Sequence, residues 1–183
     1  ISASLQLGSA FAIIFYFSDD LSLTISSFFS IFIHRKPFKD ENTRLASYIF
    51  LASIPILILG LLTKLFWPGF SDSNFRGLLS IAIVSIIMSF LLALSEIYGQ
   101  RKKFFKDIQI KDIILLGFSQ SLAIFPGVSR SGVTLTSALF SGIERKTAAR
   151  LSFLVGIPAI SISGFVEFIN LYRSSSTLFI LPI

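Results

Sequence analysis

From residue 126 the chain reads Pro126-Gly127-Val128-Ser129-Arg130-Ser131-Gly132-Val133-Thr134. One guanidinium stands among three hydroxyls and two glycines. A guanidinium offers a planar fork of donors that matches phosphate oxygens. Hydroxyls add neutral donors, and Gly127 and Gly132 leave backbone N–H groups open to close approach by an anion. A helix expected from Val133 onward would aim its free N–H groups at the same loop. These types at this spacing point to an anion site, and phosphate suits it best. The bland alternative is an arginine on a short loop that snorkels to a membrane interface. The dense Ser-Arg-Ser cluster favours the anion site. The candidate catalytic residues are therefore Arg130, Ser129, Ser131 and Thr134. The candidate substrate-binding residues are Pro126, Gly127, Gly132 and Gln120. Gln120 lies six residues before Pro126. It could hydrogen-bond the loop or satisfy a neighbouring helix, and the sequence weighs these evenly.

Little else in the chain offers chemistry. There is no cysteine, which excludes disulfides, thiol nucleophiles and cysteine metal sites. The one histidine, His34, excludes mechanisms that need two, and its basic neighbours read as a solvated loop. No residue here is a candidate metal ligand. Glu96 and Glu167 fall near the ends of apolar runs, where a carboxylate is more often interfacial or ion-paired than a general base. Asp19, Asp20, Asp40 and Glu41 read as solvated loop charges.

The elements that must hold the loop are membrane helices. Of 183 residues, 53% are hydrophobic and only 14% charged, with a mean hydropathy of +0.80. A soluble domain carries about 25% charged residues. Apolar runs at 45–66, 78–94 and 151–169 approach or exceed the length of about 20 helical residues that spans a bilayer. Shorter runs at 3–17 and 178–183 sit at the two ends, and the chain is expected to be incomplete at both. Residues 21–33 are apolar but serine-rich, as in an interfacial segment. Residues 113–125 and 133–143 are too short to cross singly. Around a Pro- and Gly-containing break they read as a re-entrant hairpin at about 113–143, tolerated only where it lines a cavity or is buried in protein. The fold expected is all-α: one polytopic integral-membrane domain over residues 1–183, with transmembrane helices and a re-entrant helix hairpin.

Basic residues support that topology. They crowd the stretches 18–44, 95–112 and 141–150, and are sparse at 67–77 and 170–177. If the hairpin enters and leaves on one face, the rich stretches share a face, which is then cytoplasmic. The net charge of +6 thus marks a membrane surface, and nucleic-acid binding is not expected. A faint repeat, Leu51 to Pro55 with Gly60 against Leu154 to Pro158 with Gly164, suggests that the hairpin is one half of an inverted repeat.

The segment from Pro126 to Thr134 resembles the PGxSRSxxT signature of the bacterial undecaprenyl-diphosphate phosphatases, the bacitracin-resistance family. Leu5-Gln6-Leu7-Gly8 is similar to the family's QLG segment. The approach from Gly117 through Gln120 to Pro126 is similar to its G-x-x-Q-x-x-A-x-x-P run. Ala148 to Phe153 with Ile157-Pro158 is similar to the family's stretch after the signature. The resemblance implies hydrolysis of undecaprenyl diphosphate to the monophosphate and inorganic phosphate. That reaction recycles the lipid carrier for peptidoglycan and confers bacitracin resistance. It also implies residence in the bacterial plasma membrane, with two hairpin tips meeting in a cavity open to the outer side. A polyprenyl diphosphate substrate, membrane lipids and a homodimeric second copy are the partners to expect.

One departure matters. The family's second motif, two glutamates four apart with a Ser-Gly-His segment, is absent here and is expected upstream of Ile1. The implied divalent cation, magnesium or calcium, would find most of its ligands there. Three rival readings are weighed, and the first fails; the blandest is an inactive structural membrane protein, since this chain lacks the acidic motif. The phosphatidic-acid-phosphatase-like enzymes follow Ser-Arg after five residues with His, but position 136 is Thr. A transporter or flippase of a polyprenyl-phosphate carrier would use Arg130 to bind the headgroup without breaking a bond.

Overall fold

The computed structural model describes residues 8, 11–34, 38, 40–67, 69–70 and 76–178. Leu5, Gln6 and Leu7, and most of the terminal run at 178–183, lie outside the described residues. The described elements are helices α1 (Ser18–His34), α2 (Glu41–Phe66), α3 (Leu78–Tyr98), α4 (Ile110–Ser121), α5 (Arg130–Phe140) and α6 (Arg145–Leu178). Residues 11–16 are also helical. Among the described residues there is no β-strand, as lipid-facing backbone requires.

Three helices are long and apolar enough to cross a bilayer: Glu41–Phe66, Leu78–Tyr98 and Arg145–Val166. Each matches an expected span, with longer bounds. Asp40 sets the start of α2. Its carboxylate accepts from the Thr43 N–H at 2.8 Å, and the Thr43 hydroxyl accepts from the Asp40 N–H at 3.1 Å. Asp40 is thus a helix cap, not the solvated loop charge expected. Asp20 departs from expectation too: in the first turn of α1 it pairs with Arg150 of α6 at 2.5 Å. His34 closes α1 instead of sitting in a loop, though its side chain lies outside the description, as does that of Glu167. The expected break at 170–177 is continuous helix.

The core sits where α2, α4, α5 and α6 meet. Leu45, Ile49, Ala52, Leu116, Leu139, Leu151 and Leu154 form one buried cluster. Gly117 of α4 crosses Ala52 of α2 so closely that a Cβ there would lie 2.8 Å from the Ala52 carbonyl oxygen. Both repeat-like segments lie inside long helices, Pro55 in α2 and Pro158 in α6. The turns that carry them face each other, with the Ser53 hydroxyl 3.5 Å from the Val155 carbonyl oxygen. By contrast α3 is largely uncovered, with Leu78, Leu79 and Ile86 exposed.

Candidate active site

Helices α4 and α5 pack on each other and form the expected hairpin. Its two feet are tied together: the Lys103 N–H donates to the Gly142 carbonyl at 2.9 Å, and the Glu144 N–H to the Lys103 carbonyl at 2.8 Å. Lys103 also pairs with Asp112 at 2.9 Å, while the other oxygen of Asp112 caps the Gln109 N–H at 2.9 Å. Entry and exit therefore share one end of the bundle. Glu96 serves the same end, accepting from Arg101 and Arg145. It is an anchoring residue for that end and stands away from the tip.

From its foot, the 12 residues of α4 and a three-residue 3₁₀ turn, Leu122–Ile124, reach about 24 Å at the standard rises. That reach is most of the thickness of a hydrocarbon layer, about 30 Å. The tip lodges against the far ends of α2 and α3. The Phe125 ring lies 6.0 Å from that of Phe70, and the Ser85 hydroxyl donates to the Gly127 carbonyl at 3.2 Å. Gly127 has φ +91°, and a Cβ there would sit 2.8 Å from the Ile81 carbonyl oxygen. Its missing side chain serves the contact with α3, in addition to the turn.

Arg130 opens α5, three residues earlier than expected, because Ser129 caps the helix by accepting from the Gly132 N–H at 3.2 Å. Gly132 is therefore helical, and its lack of a Cβ leaves room for the Ser129 side chain 3.0 Å away. The Arg130 side chain runs over Gly156 of α6, its Cδ 3.7 Å from where a Cβ would stand. Its Nε is buried without a hydrogen-bond partner. Arg101, Lys103, Arg145 and Arg150 all have carboxylate partners; among the described residues Arg130 has none. A half-buried cation with no carboxylate partner among the described residues can take an anionic guest.

The other candidates divide. Ser129 is exposed at the helix start and Ser131 is half-buried in the first turn, so both flank Arg130 in sequence where α5 begins. Pro126 shapes the turn before them. Thr134 does not join: it is fully buried, and its hydroxyl donates back to the Arg130 or Ser131 carbonyl at 3.0 and 3.1 Å. Gln120 is fully buried, yet neither amide atom has a partner, so it bonds neither the loop nor a neighbouring helix as expected. Sequence reasoning missed Gly156, the floor beneath the arginine; its signal was a glycine two residues before a proline inside an apolar run.

Chemically the tip is a donor set: a guanidinium, two hydroxyls and unpaired backbone N–H groups. It can bind a phosphate and stabilise charge on its oxygens. It does not fit a divalent cation, since it supplies no carboxylate. Among the described residues no three His, Asp or Glu converge.

The sequence matches the family described as bacitracin resistance protein BacA over residues 1–181. It is 72% identical over 172 residues to an undecaprenyl-diphosphatase of Prochlorococcus marinus strain NATL1A, covering 94% of this chain and 62% of the relative. It is 44% identical over 182 residues to the undecaprenyl-diphosphatase of Prochlorococcus marinus strain MIT 9313, covering 100% of this chain and 60% of that relative. It is 42% identical to the one from Synechococcus sp. strain CC9311, covering 100% and 64%. The chain thus spans less than two thirds of the length of these curated relatives.

Proposed function

The chain belongs to the bacitracin resistance protein BacA family, and from that footing we propose that the protein hydrolyses undecaprenyl diphosphate to undecaprenyl phosphate and inorganic phosphate. The observation that carries this reading is Arg130, half-buried at the hairpin tip with no carboxylate partner among the described residues, beside the free N-terminus of α5. The fork of Arg130 clamps the diphosphate. The Ser129 and Ser131 hydroxyls and the first N–H groups of α5 take the remaining oxygens. Charge spreading over the transferred phosphoryl group then falls on donors already in place. The bond from the terminal phosphorus to the bridging oxygen breaks, and the bridging oxygen stays with the lipid as its phosphate. The nucleophile's oxygen joins the terminal phosphorus, and water supplies that oxygen in the net reaction. Ser129 is the better placed hydroxyl to take part, since its oxygen accepts from Gly132 while its own proton remains free to donate.

The same reading puts the protein in the bacterial inner membrane as a multi-pass domain. The tied hairpin feet lie on the cytoplasmic side and the tip faces a cavity open to the outside. The support is electrostatic: Arg44, Lys103, Arg145 and Arg150 all gather at the hairpin's feet. A divalent cation and a homodimer belong to the reading as family expectations.

The test uses the full-length protein in detergent with undecaprenyl diphosphate and magnesium or calcium, measuring phosphate release. Arg130→Ala should lower release by about a thousandfold or more, with the variant still monodisperse. Wild-type protein that binds the lipid and releases no phosphate would move the reading to a carrier-lipid transporter. Release unchanged in the variant would remove Arg130 from the site.

A further inference from the structure

A second cleft lies at the opposite end of the hairpin from Arg130. It encloses about 550 Å³ between the starts of α2 and α6 and the loop before α4. Four cations line it, Arg44, Lys106, Lys146 and Arg150, with three carboxylates, Asp40, Glu41 and Glu144. Two of the carboxylates are held in place by their own helices: Asp40 accepts from the Thr43 N–H at 2.8 Å, and Glu144 accepts from the Thr147 hydroxyl at 3.2 Å. Arg150 is engaged as well, by Asp20. Arg44 is held open by neutral acceptors only, the Tyr48 hydroxyl and the Lys106 carbonyl at 3.1 Å and the Ile108 carbonyl at 3.4 Å. Lys106 and Lys146 are exposed, and among the described residues neither has a carboxylate partner.

Apolar rings border these charges. Phe104 is 53% exposed and Phe38 is 43% exposed, both on the lining. Cations beside exposed aromatic rings, at the end of a membrane-spanning bundle, match a molecule with a phosphate head and an acyl body. A water-soluble phosphate would have no use for the rings.

We infer that this cleft is a binding site for the phosphate headgroup of an anionic membrane lipid, separate from the Arg130 site. Arg44 forms its fixed wall, and Lys106 and Lys146 are the two movable cations at its mouth. The lipid's chains run out over Phe38 and Phe104. The inference stands independently of the hydrolytic reading.

The experiment is native mass spectrometry of the delipidated full-length protein, titrated with phosphatidylglycerol or phosphatidylcholine. Wild type should retain phosphatidylglycerol at least tenfold more tightly than phosphatidylcholine. The double variant Lys106→Gln, Lys146→Gln should lose that preference, while Arg76→Gln, which removes an exposed charge outside the cleft, should keep it. An unchanged melting temperature and a monodisperse elution in detergent would show the double variant folded. Equal retention of the two lipids by wild type would overturn the inference, as would a double variant that holds phosphatidylglycerol like wild type. Displacement of the lipid by millimolar inorganic phosphate would also overturn it, by assigning the cleft to the free ion.

Discussion

At the scale of single residues, the motif contains side chains with different tasks. Arg130 supplies geometry as well as charge, so Arg130→Lys should recover only a small part of the activity lost in Arg130→Ala. A lysine is a point charge without the paired fork. Phosphate-release kinetics on the two variants would check this, and equal activity of Lys and Arg would refute it. Thr134 spends its hydroxyl on its own helix. Thr134→Val should therefore keep release within about threefold of wild type, with only a modest stability change of order 1 kcal/mol. A collapse of kcat with an unchanged melting temperature would instead place that hydroxyl on the substrate. The sequence made Arg130 legible because an arginine inside an apolar run has few structural excuses. It could not separate Thr134 from the serines, because all three share one hydroxyl chemistry. The difference lies in burial and in where α5 begins, and both depend on Ser129 acting as a cap.

At the scale of elements, the hairpin was legible from two short apolar runs around Pro126 and Gly127. Its contacts were not. Gly127 reads as an anion-binding glycine until Ile81, far away in sequence, is seen against it. Asp20 reads as a loop charge until Arg150 is found beside it. Such pairings follow from packing between distant segments, which no local pattern encodes. Glycines on the same helical scaffold should accordingly behave differently. Gly117→Ala pushes a methyl into the α2 backbone and should cost about 1–3 kcal/mol. Gly60→Ala meets nothing within 4 Å and should be neutral or slightly stabilising. Thermal unfolding of the full-length protein in detergent would distinguish them; equal melting temperatures would mean that the α2–α4 crossing is looser than described.

At the scale of the molecule, the three long apolar helices and the tied hairpin predict how the chain is threaded. These 183 residues contain no cysteine, so a cysteine placed among them reports from one known position, read against the unsubstituted protein. In intact cells or sealed vesicles, Lys102→Cys and Lys146→Cys should label from the same side, and Gly69→Cys from the other. The two lysines flank the hairpin, whereas Gly69 follows the far end of α2. Labelling of Lys102→Cys and Lys146→Cys from opposite sides would mean that residues 110–140 cross completely.

The closure of the hairpin's feet bears on how the protein is made. A segment that enters and leaves through one door adds nothing to the tally of crossings. The helices before and after it, α3 and α6, must then run in opposite directions, and no hydrophilic stretch has to be hauled through the bilayer on its account. The motif loop can wait at the surface during synthesis. It can slip in once its neighbours stand upright and offer the polar shelter that lipid does not.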